Sequence, residues 1–389
     1  MAATAAPKPD PASLSWLALA LTPGLGPTRA RKLAEHFGTA EAVFHASLTE
    51  LEACGLHAAA AQAIGTGKST DLAREELRKA ADAGAIILTL DHPAYPPLLR
   101  QIYDPPVALY VRGNPEVLAQ PGLAVVGTRH PTPYGMGMAE RLSCDLANIG
   151  LVIISGMARG VDSAAHRGAL IAKGKTAAVF GTGIDVIYPR ENKKIADSIL
   201  ATGGALITEF AVGTFAAPQN FPIRNRIISG LSVGVLVVEA GEYSGTRITA
   251  RCALEQNRDV YAVPGNVTNR LSWGPNTLIK QGAKLVATWE DVWEDLPEDV
   301  KLNLGPSTQT GREPAGTASL FDPAEGDKLS PVERKVFALL KPDQSTHIDE
   351  IVEKLEPGVS SSEIFAALFE LELSGKIRQL PGKNFVRSF

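Results

Sequence analysis

Four arginines and several small polar residues stand directly after apolar, β-branched runs in the middle of the 389-residue chain. Guanidinium groups offer forked N–H donors that suit phosphate oxygens, and glycines ahead of a helix let its N-terminal N–H groups approach an anion. Phe221 adds a ring on which a nucleic-acid base can stack, although a core position beneath the arginine-bearing helix is the alternative. The pattern predicts a phosphate-binding site formed by Thr128, Arg129, Ser155, Gly156, Arg190, Phe221, Arg224, Asn225 and Arg226.

The elements that must position these residues follow from a regular spacing of apolar runs. Six runs begin 28, 25, 29, 28 and 26 residues apart, at Leu123, Leu151, Thr176, Ala205, Val233 and Asp259. Helical patterns fill the gaps, over Tyr134–Asn148, Val161–Lys173, Lys193–Thr202 and Thr246–Gln256. Successive βαβ units of this length predict an α/β fold with a doubly wound, extended Rossmann-like parallel sheet. The carboxyl ends of parallel strands share one edge, so the site residues should meet there. Ala85–Leu90 and Val107–Val111 predict a further strand pair.

Candidate acid/base groups are few. Asp162 is expected to cap the helix that begins beside it. His166, four residues later, lies on the same helix face, where it either hydrogen-bonds Asp162 or is a satisfied structural histidine. Glu209 and Glu239 at strand ends suit either acid/base chemistry or the positioning of neighbouring arginines. We therefore predict no catalytic residue and no enzymatic activity.

Composition and missing motifs exclude several classes of protein. The net charge of −4 excludes a uniformly basic coat protein, but it does not exclude a local basic site. The first glycine turn carries an arginine where a dinucleotide fold needs glycine, and no P-loop motif is present. Cys54, Cys144 and Cys252 stand far apart, which predicts neither a zinc site nor disulfides and suits a reducing compartment. We expect a soluble, cytoplasmic protein without metal, cofactor, signal peptide or membrane segment.

The composition also divides the chain into five parts. We expect a disordered leader at 1–12, an all-α domain at 13–84, the α/β domain at 85–296, a linker at 297–327 and a winged-helix domain at 328–389. The last part shows helical patterns over Pro331–Leu340, His347–Leu355 and Ser361–Ser374, followed by a hairpin over Lys376–Val386. Its expected recognition helix, Ser361–Leu373, carries three glutamates and no basic residue, whereas duplex-reading helices are basic. This predicts protein contact or weak binding.

Several spaced motifs resemble the DNA-processing protein A family, also called DprA or Smf. The resemblance covers roughly residues 85–290 and rests on Tyr95–Gly113, Val126–Gly135, Ser155–His166, Phe221–Ser232 and Val238–Thr246. It implies a non-enzymatic mediator that binds single-stranded DNA, forms a homodimer and loads the RecA recombinase during natural transformation, in competent cells. It also implies a DNA pocket that includes Arg129, Arg190, Phe221, Arg224 and Arg226, and dimer contacts at Asn276, Ile279 and Leu285. Residues 21–30 resemble the helix-hairpin-helix turn of a SAM-like domain, with or without DNA contact.

Two other functions remain open at this stage. A nucleotide phosphoribohydrolase of the lysine-decarboxylase-like kind would carry a Pro-Gly-Gly-x-Gly-Thr turn, but the segment 240–246 keeps only Gly-Thr. A mainly architectural protein would recruit a recombinase through dimer surfaces and tail domains, with DNA contact secondary.

Overall fold

The computed structural model describes residues 11–242, 244–304, 329–341, 344–355 and 358–387. The helices are α1 (Pro11–Ala20), α2 (Pro27–Phe37), α3 (Ala40–Val43), α4 (Leu48–Ala53), α5 (Ala58–Gly65), α6 (Lys68–Asp82), α7 (Pro97–Arg100), α8 (Pro133–Asn148), α9 (Val161–Ile171), α10 (Lys193–Ala201), α11 (Asn220–Gly230), α12 (Thr246–Glu255), α13 (Trp273–Lys280), α14 (Trp289–Asp295), α15 (Glu298–Asn303), α16 (Pro331–Leu339), α17 (Ile348–Leu355) and α18 (Ser361–Leu373). The strands are β1 (Ile86–Thr89), β2 (Ala108–Gly113), β3 (Gly122–Val126), β4 (Val152–Ser155), β5 (Thr176–Val179), β6 (Ala205–Thr208), β7 (Gly234–Val237), β8 (Asp259–Ala262), β9 (Lys284–Leu285), β10 (Thr346–His347), β11 (Ile377–Leu380) and β12 (Asn384–Arg387).

A nine-stranded sheet forms the centre of the molecule, in the order β1-β2-β6-β5-β4-β3-β7-β8-β9. The six strands predicted from the apolar runs are all present and pair in parallel, which confirms the α/β, Rossmann-like fold. The predicted extra pair is present as β1 and β2, which run antiparallel to each other, and β2 also runs antiparallel to β6.

Helices cover both faces of this sheet, which explains why its strands are continuously apolar rather than alternating. Ala124 and Val126 face a core shared with α11 and α12, whereas Leu123 and Val125 face a core shared with α8 and α9. The helix that follows β3 and the helix that follows β7 therefore lie on opposite faces of the sheet. This arrangement opens a crevice between their N-termini.

The N-terminal region is helical, as predicted, from α1 to α6. Pro11 begins α1, so only residues 1–10 of the expected leader lie outside the described residues. Leu17 of α1 and Ala73 of α6 belong to a core that also contains Tyr110 of β2 and Leu206 of β6. These helices are thus packed on the β2–β6 end of the sheet by a shared apolar core.

The expected linker at 297–327 begins with structure. Helix α15 occupies its first part, and Leu304 is buried with Leu296 in the core beneath α8 and α9. Residues 305–328 lie outside the described residues. The sequence did not predict this short helix, because Val300 and the following Leu304 are the main apolar residues that this segment adds to the core.

The C-terminal residues form the predicted winged helix. Its three helices and the β11–β12 hairpin match the expected segments, and β10 adds a third strand next to β12. A separate core, centred on Val336, Ile351 and Leu371, holds these elements together.

Candidate nucleic-acid interface

An open cleft of about 750 Å³ lies at the carboxyl edge of the sheet, where the strand order reverses. Strand β3 pairs with β4 on one side and with β7 on the other, so the loops that follow β3 and β7 border this crevice. Five of the predicted site residues line it, namely Thr128, Arg129, Phe221, Arg224 and Asn225. Further lining residues include His130, Asp162, Tyr188, Ser244, Gly245 and Thr246.

Arg129 and Phe221 form the exposed wall of the cleft. The Arg129 guanidinium carbon lies 5.4 Å from the centroid of the Phe221 ring, within the range of a cation–π contact. The Tyr188 ring lies on the same wall, with its centroid 5.7 Å from that of Phe221 and the two planes inclined by 38°. A Cβ at Gly181 would come within 2.8 Å of the Phe221 ring, so the ring packs on this glycine while it borders the cleft. Phe221 thus packs against the protein on Gly181 and also borders the cleft, so each of its two interpretations, core residue and stacking ring, describes part of its surroundings.

Arg224 forms the floor of the cleft. Its side chain is buried, and its Nε and Nη1 atoms have no hydrogen-bond partner among the described residues. Burial lowers the pKa of Arg224 to about 10, the neighbouring Asp162 carboxylate opposes this fall, and the Arg129 charge adds to it. Asp162 is buried as well, and burial raises the pKa of its carboxyl. Because Nε and Nη1 are closed off from solvent, Arg224 contributes mainly the positive charge of a buried guanidinium beneath the cleft.

Ser155 and Gly156 support this floor through internal hydrogen bonds, although both were predicted to contact phosphate. The Gly156 N–H donates to Asp162 Oδ2 over 3.1 Å, and the Ser155 hydroxyl donates to the Val125 carbonyl over 2.7 Å. A Cβ at Gly156 would overlap the Arg224 guanidinium. Glycine is required here because Arg224 occupies the space above its Cα.

Arg226 does not lie in the cleft, in contrast to the prediction. Its Nη1 and Nη2 donate to the two Glu209 oxygens over 2.9 and 2.7 Å, and its Nε donates to Asp104 Oδ2 over 2.9 Å. Burial lowers the pKa of Arg226, but the two carboxylates more than reverse this and hold the pKa above its ordinary value. Arg226 therefore fastens α11 to the loop before β2 and to the end of β6. Glu209 therefore positions a neighbouring arginine, Arg226, which was one of the two roles considered for it.

Arg190 also lies outside the cleft lining. It is exposed and begins a one-turn 3₁₀ helix immediately after Pro189. A narrower extension of the cleft is lined instead by Arg159, which the sequence did not single out. Arg159 donates from Nε and Nη2 to the Glu191 carboxylate over 2.8 and 2.9 Å. Its position in the glycine turn after β4 was a signal that could have identified it.

The acid/base candidates have structural contacts. Glu239 accepts hydrogen bonds from the Thr132 N–H over 2.8 Å and the Thr132 hydroxyl over 2.6 Å, at the start of α8. His166 hydrogen-bonds Thr176 and not Asp162, since its Nδ1 lies 2.7 Å from the Thr176 hydroxyl. That hydroxyl donates to the Ile153 carbonyl, so it accepts from Nδ1–H. Asp162 binds the loop before α9 through the Gly156 and Ala158 N–H groups and does not cap its own helix.

The three residues expected at a dimer interface differ in their surroundings. Asn276 is engaged within its own chain, where its amide donates to the Gly265 carbonyl over 2.9 Å and accepts from the Gly265 N–H over 3.2 Å. Ile279 is half-buried on α13, and Leu285 is 45% exposed on the edge strand β9. Leu285 thus offers apolar surface on the last strand of the sheet that the described residues form.

Comparisons with known proteins agree with this architecture. The family model for the DNA recombination-mediator protein A matches residues 86–297, and the model for the DprA winged helix domain matches residues 322–383. Protein Smf of Escherichia coli is 42% identical over 302 residues, 77% of each chain, and Protein Smf of Synechocystis is 34% identical over 96% of this chain and 98% of its own. The X-ray structure of DNA processing protein A from Streptococcus pneumoniae aligns with a TM-score of 0.65 and 34% identity, over 75% of this chain and 99% of that one.

The fold and the cleft define a Rossmann-like α/β protein with an arginine-lined cleft at the carboxyl edge of its sheet. The chain belongs to the DNA recombination-mediator protein A family, DprA/Smf, and is a DNA-processing protein. No helix among the described residues is long and apolar enough to cross a bilayer, and no cluster of metal-ligating side chains occurs in that same part of the chain.

Proposed function

We propose that this protein is a non-enzymatic mediator that binds single-stranded DNA in the cleft at the carboxyl edge of the sheet. The observation that carries the proposal is the Arg129–Phe221 contact in a cleft that the buried Arg224 guanidinium also lines. Single-stranded nucleic acid is held by cations along its backbone and by rings that stack its bases. This cleft combines both features, whereas a duplex would bring no unstacked base to Phe221.

In this proposal, phosphates bind at the floor and at one helix end. Arg224 supplies positive charge from below, and Arg129 supplies a second guanidinium from the exposed wall. The N-terminus of α12 borders the cleft through Ser244, Gly245 and Thr246, and its N–H groups add a positive potential for an anion. A base then stacks on Phe221 or Tyr188, outside this row of phosphate contacts.

The experiment that tests the proposal compares fluorescence anisotropy of labelled oligo-dT and of a duplex of equal length over a salt series. We expect tighter binding of oligo-dT, with a slope of log K against log[salt] near −0.7 for each phosphate neutralised. Equal affinity for both nucleic acids would contradict the proposal.

We further propose that the protein loads RecA onto the bound strand during natural transformation, as the family resemblance implies. The winged helix supports a protein-contact role, because Phe365, Phe369 and Leu373 of α18 are 52%, 61% and 68% exposed at four-residue spacing. Four-residue spacing places these side chains along one helix face. A Phe369→Glu variant should retain less RecA in a pull-down than the wild type and bind oligo-dT normally. Unchanged RecA retention would remove α18 from the contact.

We also propose that the protein forms a homodimer through α13 and β9. Leu285→Glu would place a charge on the exposed apolar edge, so we expect a shift toward monomer in sedimentation velocity. Asn276→Ala is a less informative variant, because its amide supports the Gly265 turn within its own chain. A wild-type monomer at micromolar concentration would contradict the proposal.

A further inference from the structure

The loop between β6 and α11 carries an exposed aromatic ring beside the cleft. Phe215 is 80% exposed, and its neighbours Ala216 and Pro218 line the cleft. Among the described residues, Phe215 has no stacking ring and no cation partner. Because the ring is exposed beside the cleft, a base of a bound strand could stack on it, and stacking would remove part of the ring from water.

The backbone just before Phe215 is held by two hydrogen bonds to the turn after β5. The Gly213 N–H donates to Asp185 Oδ1 over 2.8 Å, and the Thr214 carbonyl accepts from the Gly183 N–H over 2.9 Å. Gly213 has a φ of +82°, a conformation that side chains rarely adopt, so this turn depends on glycine. The loop next to Phe215 is therefore tied to the turn after β5.

A third tie comes from the N-terminal helices. Glu76 of α6 is 5% exposed, and its Oε1 accepts a 2.6 Å hydrogen bond from the Val212 N–H. Losing this acceptor would remove a hydrogen bond from the half-buried Val212 backbone, which favours a shift of the loop. Glu76 thus links the helical region to the backbone three residues before Phe215.

We propose that Phe215 is a second base-stacking residue of the cleft and that Glu76 is the positioning residue for its loop. The inference rests on the proposed binding of single-stranded DNA, and it names a further contact for the same strand. A strand whose phosphates lie on Arg129 and Arg224 presents one base to Phe221, and a base farther along stacks on Phe215 at the rim. The N-terminal helices then influence strand binding without touching the strand.

The test separates base contacts from phosphate contacts. Anisotropy is measured with oligo-dT and with an abasic oligonucleotide of equal length, for the wild type and for Phe215→Ala. We expect Phe215→Ala to weaken oligo-dT binding about tenfold and to leave abasic binding unchanged, since stacking needs a base. Equal losses on both ligands, or no loss on either, would overturn the proposal.

Two control variants complete the design. Arg129→Glu should weaken binding of both ligands, because it removes a phosphate contact. Ile171→Ala removes an apolar group that is 62% exposed at the far end of α9, at the opposite edge of the sheet, and should change neither affinity. Failure of the wild type to bind oligo-dT would refute the proposed function itself, and the Phe215 assignment with it. Normal wild-type binding with an unaffected Phe215→Ala variant would refute only the Phe215 assignment.

Glu76 is tested by a double-mutant cycle. Glu76→Ala should weaken oligo-dT binding and spare abasic binding, and the Glu76→Ala/Phe215→Ala double variant should bind as weakly as Phe215→Ala alone. A general loss of folding would instead weaken binding of both ligands. Additive losses in the double variant would show that Glu76 acts independently of Phe215 and would overturn its assignment as the positioning residue.

Discussion

The Arg129 guanidinium lies over the Phe221 ring at 5.4 Å, so the exposed wall of the cleft presents a cation and an aromatic face together. The contact orders both side chains before any ligand arrives. Because a side chain fixed in advance loses less conformational entropy on binding, this arrangement favours affinity. The same contact makes the two residues interdependent, so their substitution effects should not add.

Arg129→Glu should weaken binding of oligo-dT at least tenfold and reduce the salt slope by about 0.7, because one phosphate contact is lost and a repulsive charge is introduced. Anisotropy titrations between low and moderate salt measure both quantities. Lys173→Glu is the matched control, since Lys173 is exposed just after α9 at the opposite edge of the sheet. An unchanged slope for Arg129→Glu would exclude Arg129 from the phosphate site.

Gly156→Ala should weaken oligo-dT binding nearly as much as Arg224→Ala, because the new methyl group occupies the space of the Arg224 guanidinium. Gly241→Ala is the control, since Gly241 also lines the cleft but has no atom within 4 Å of an added Cβ. Circular dichroism and thermal unfolding verify that each variant is folded. Normal binding by folded Gly156→Ala would show that the floor position of Arg224 is not needed.

Arg226→Gln should destabilise the fold by about 3 kcal/mol, because it leaves the Glu209 and Asp104 carboxylates without their cation. Chemical denaturation measures this loss. Binding of oligo-dT by the folded fraction should weaken less than in Arg224→Gln, which removes the guanidinium from the floor of the cleft itself. The reverse pattern would mean that the two arginines have exchanged roles.

Burial lowers the pKa of His166 to about 3, which makes the folding free energy depend on pH. The unfolded chain binds a proton at His166 near pH 6.5 and the folded chain does not, so stability from this group is present above pH 6.5 and falls as the pH decreases toward 3. Between pH 7 and pH 5 the loss should be about 2 kcal/mol. His166→Asn keeps a donor for Thr176 and removes the titration, so its unfolding free energy should fall less over that interval. Parallel pH profiles for both proteins would contradict this account.

The spacing of apolar runs was sufficient to predict the sheet. Six strands begin within a residue of the positions expected from the runs, because buried parallel strands must be continuously apolar and separated by a helix. The short helix α15 was not predicted, because a helix of 6 residues with two apolar contacts is too short to show a clear helical periodicity of apolar residues.

The site was predictable in its location and less so in its details. Arg224 and Arg226 are two residues apart on α11, and 100° per residue places them on different faces of the helix. The sequence shows that both cannot point into one cleft, but which one does depends on how α11 packs. The space that Gly156 leaves for Arg224 involves a residue 68 positions away along the chain, and no local pattern contains that information.

The triad of Arg226, Glu209 and Asp104 has a consequence for strand binding even though it never meets the strand. Its hydrogen bonds hold one face of α11 and thereby set the rotation of that helix about its axis. A rotation of a few degrees would move the Arg224 guanidinium sideways in the cleft. Replacing Glu209 or Asp104 should therefore affect strand binding by moving the Arg224 guanidinium, and not by changing the charge of the cleft.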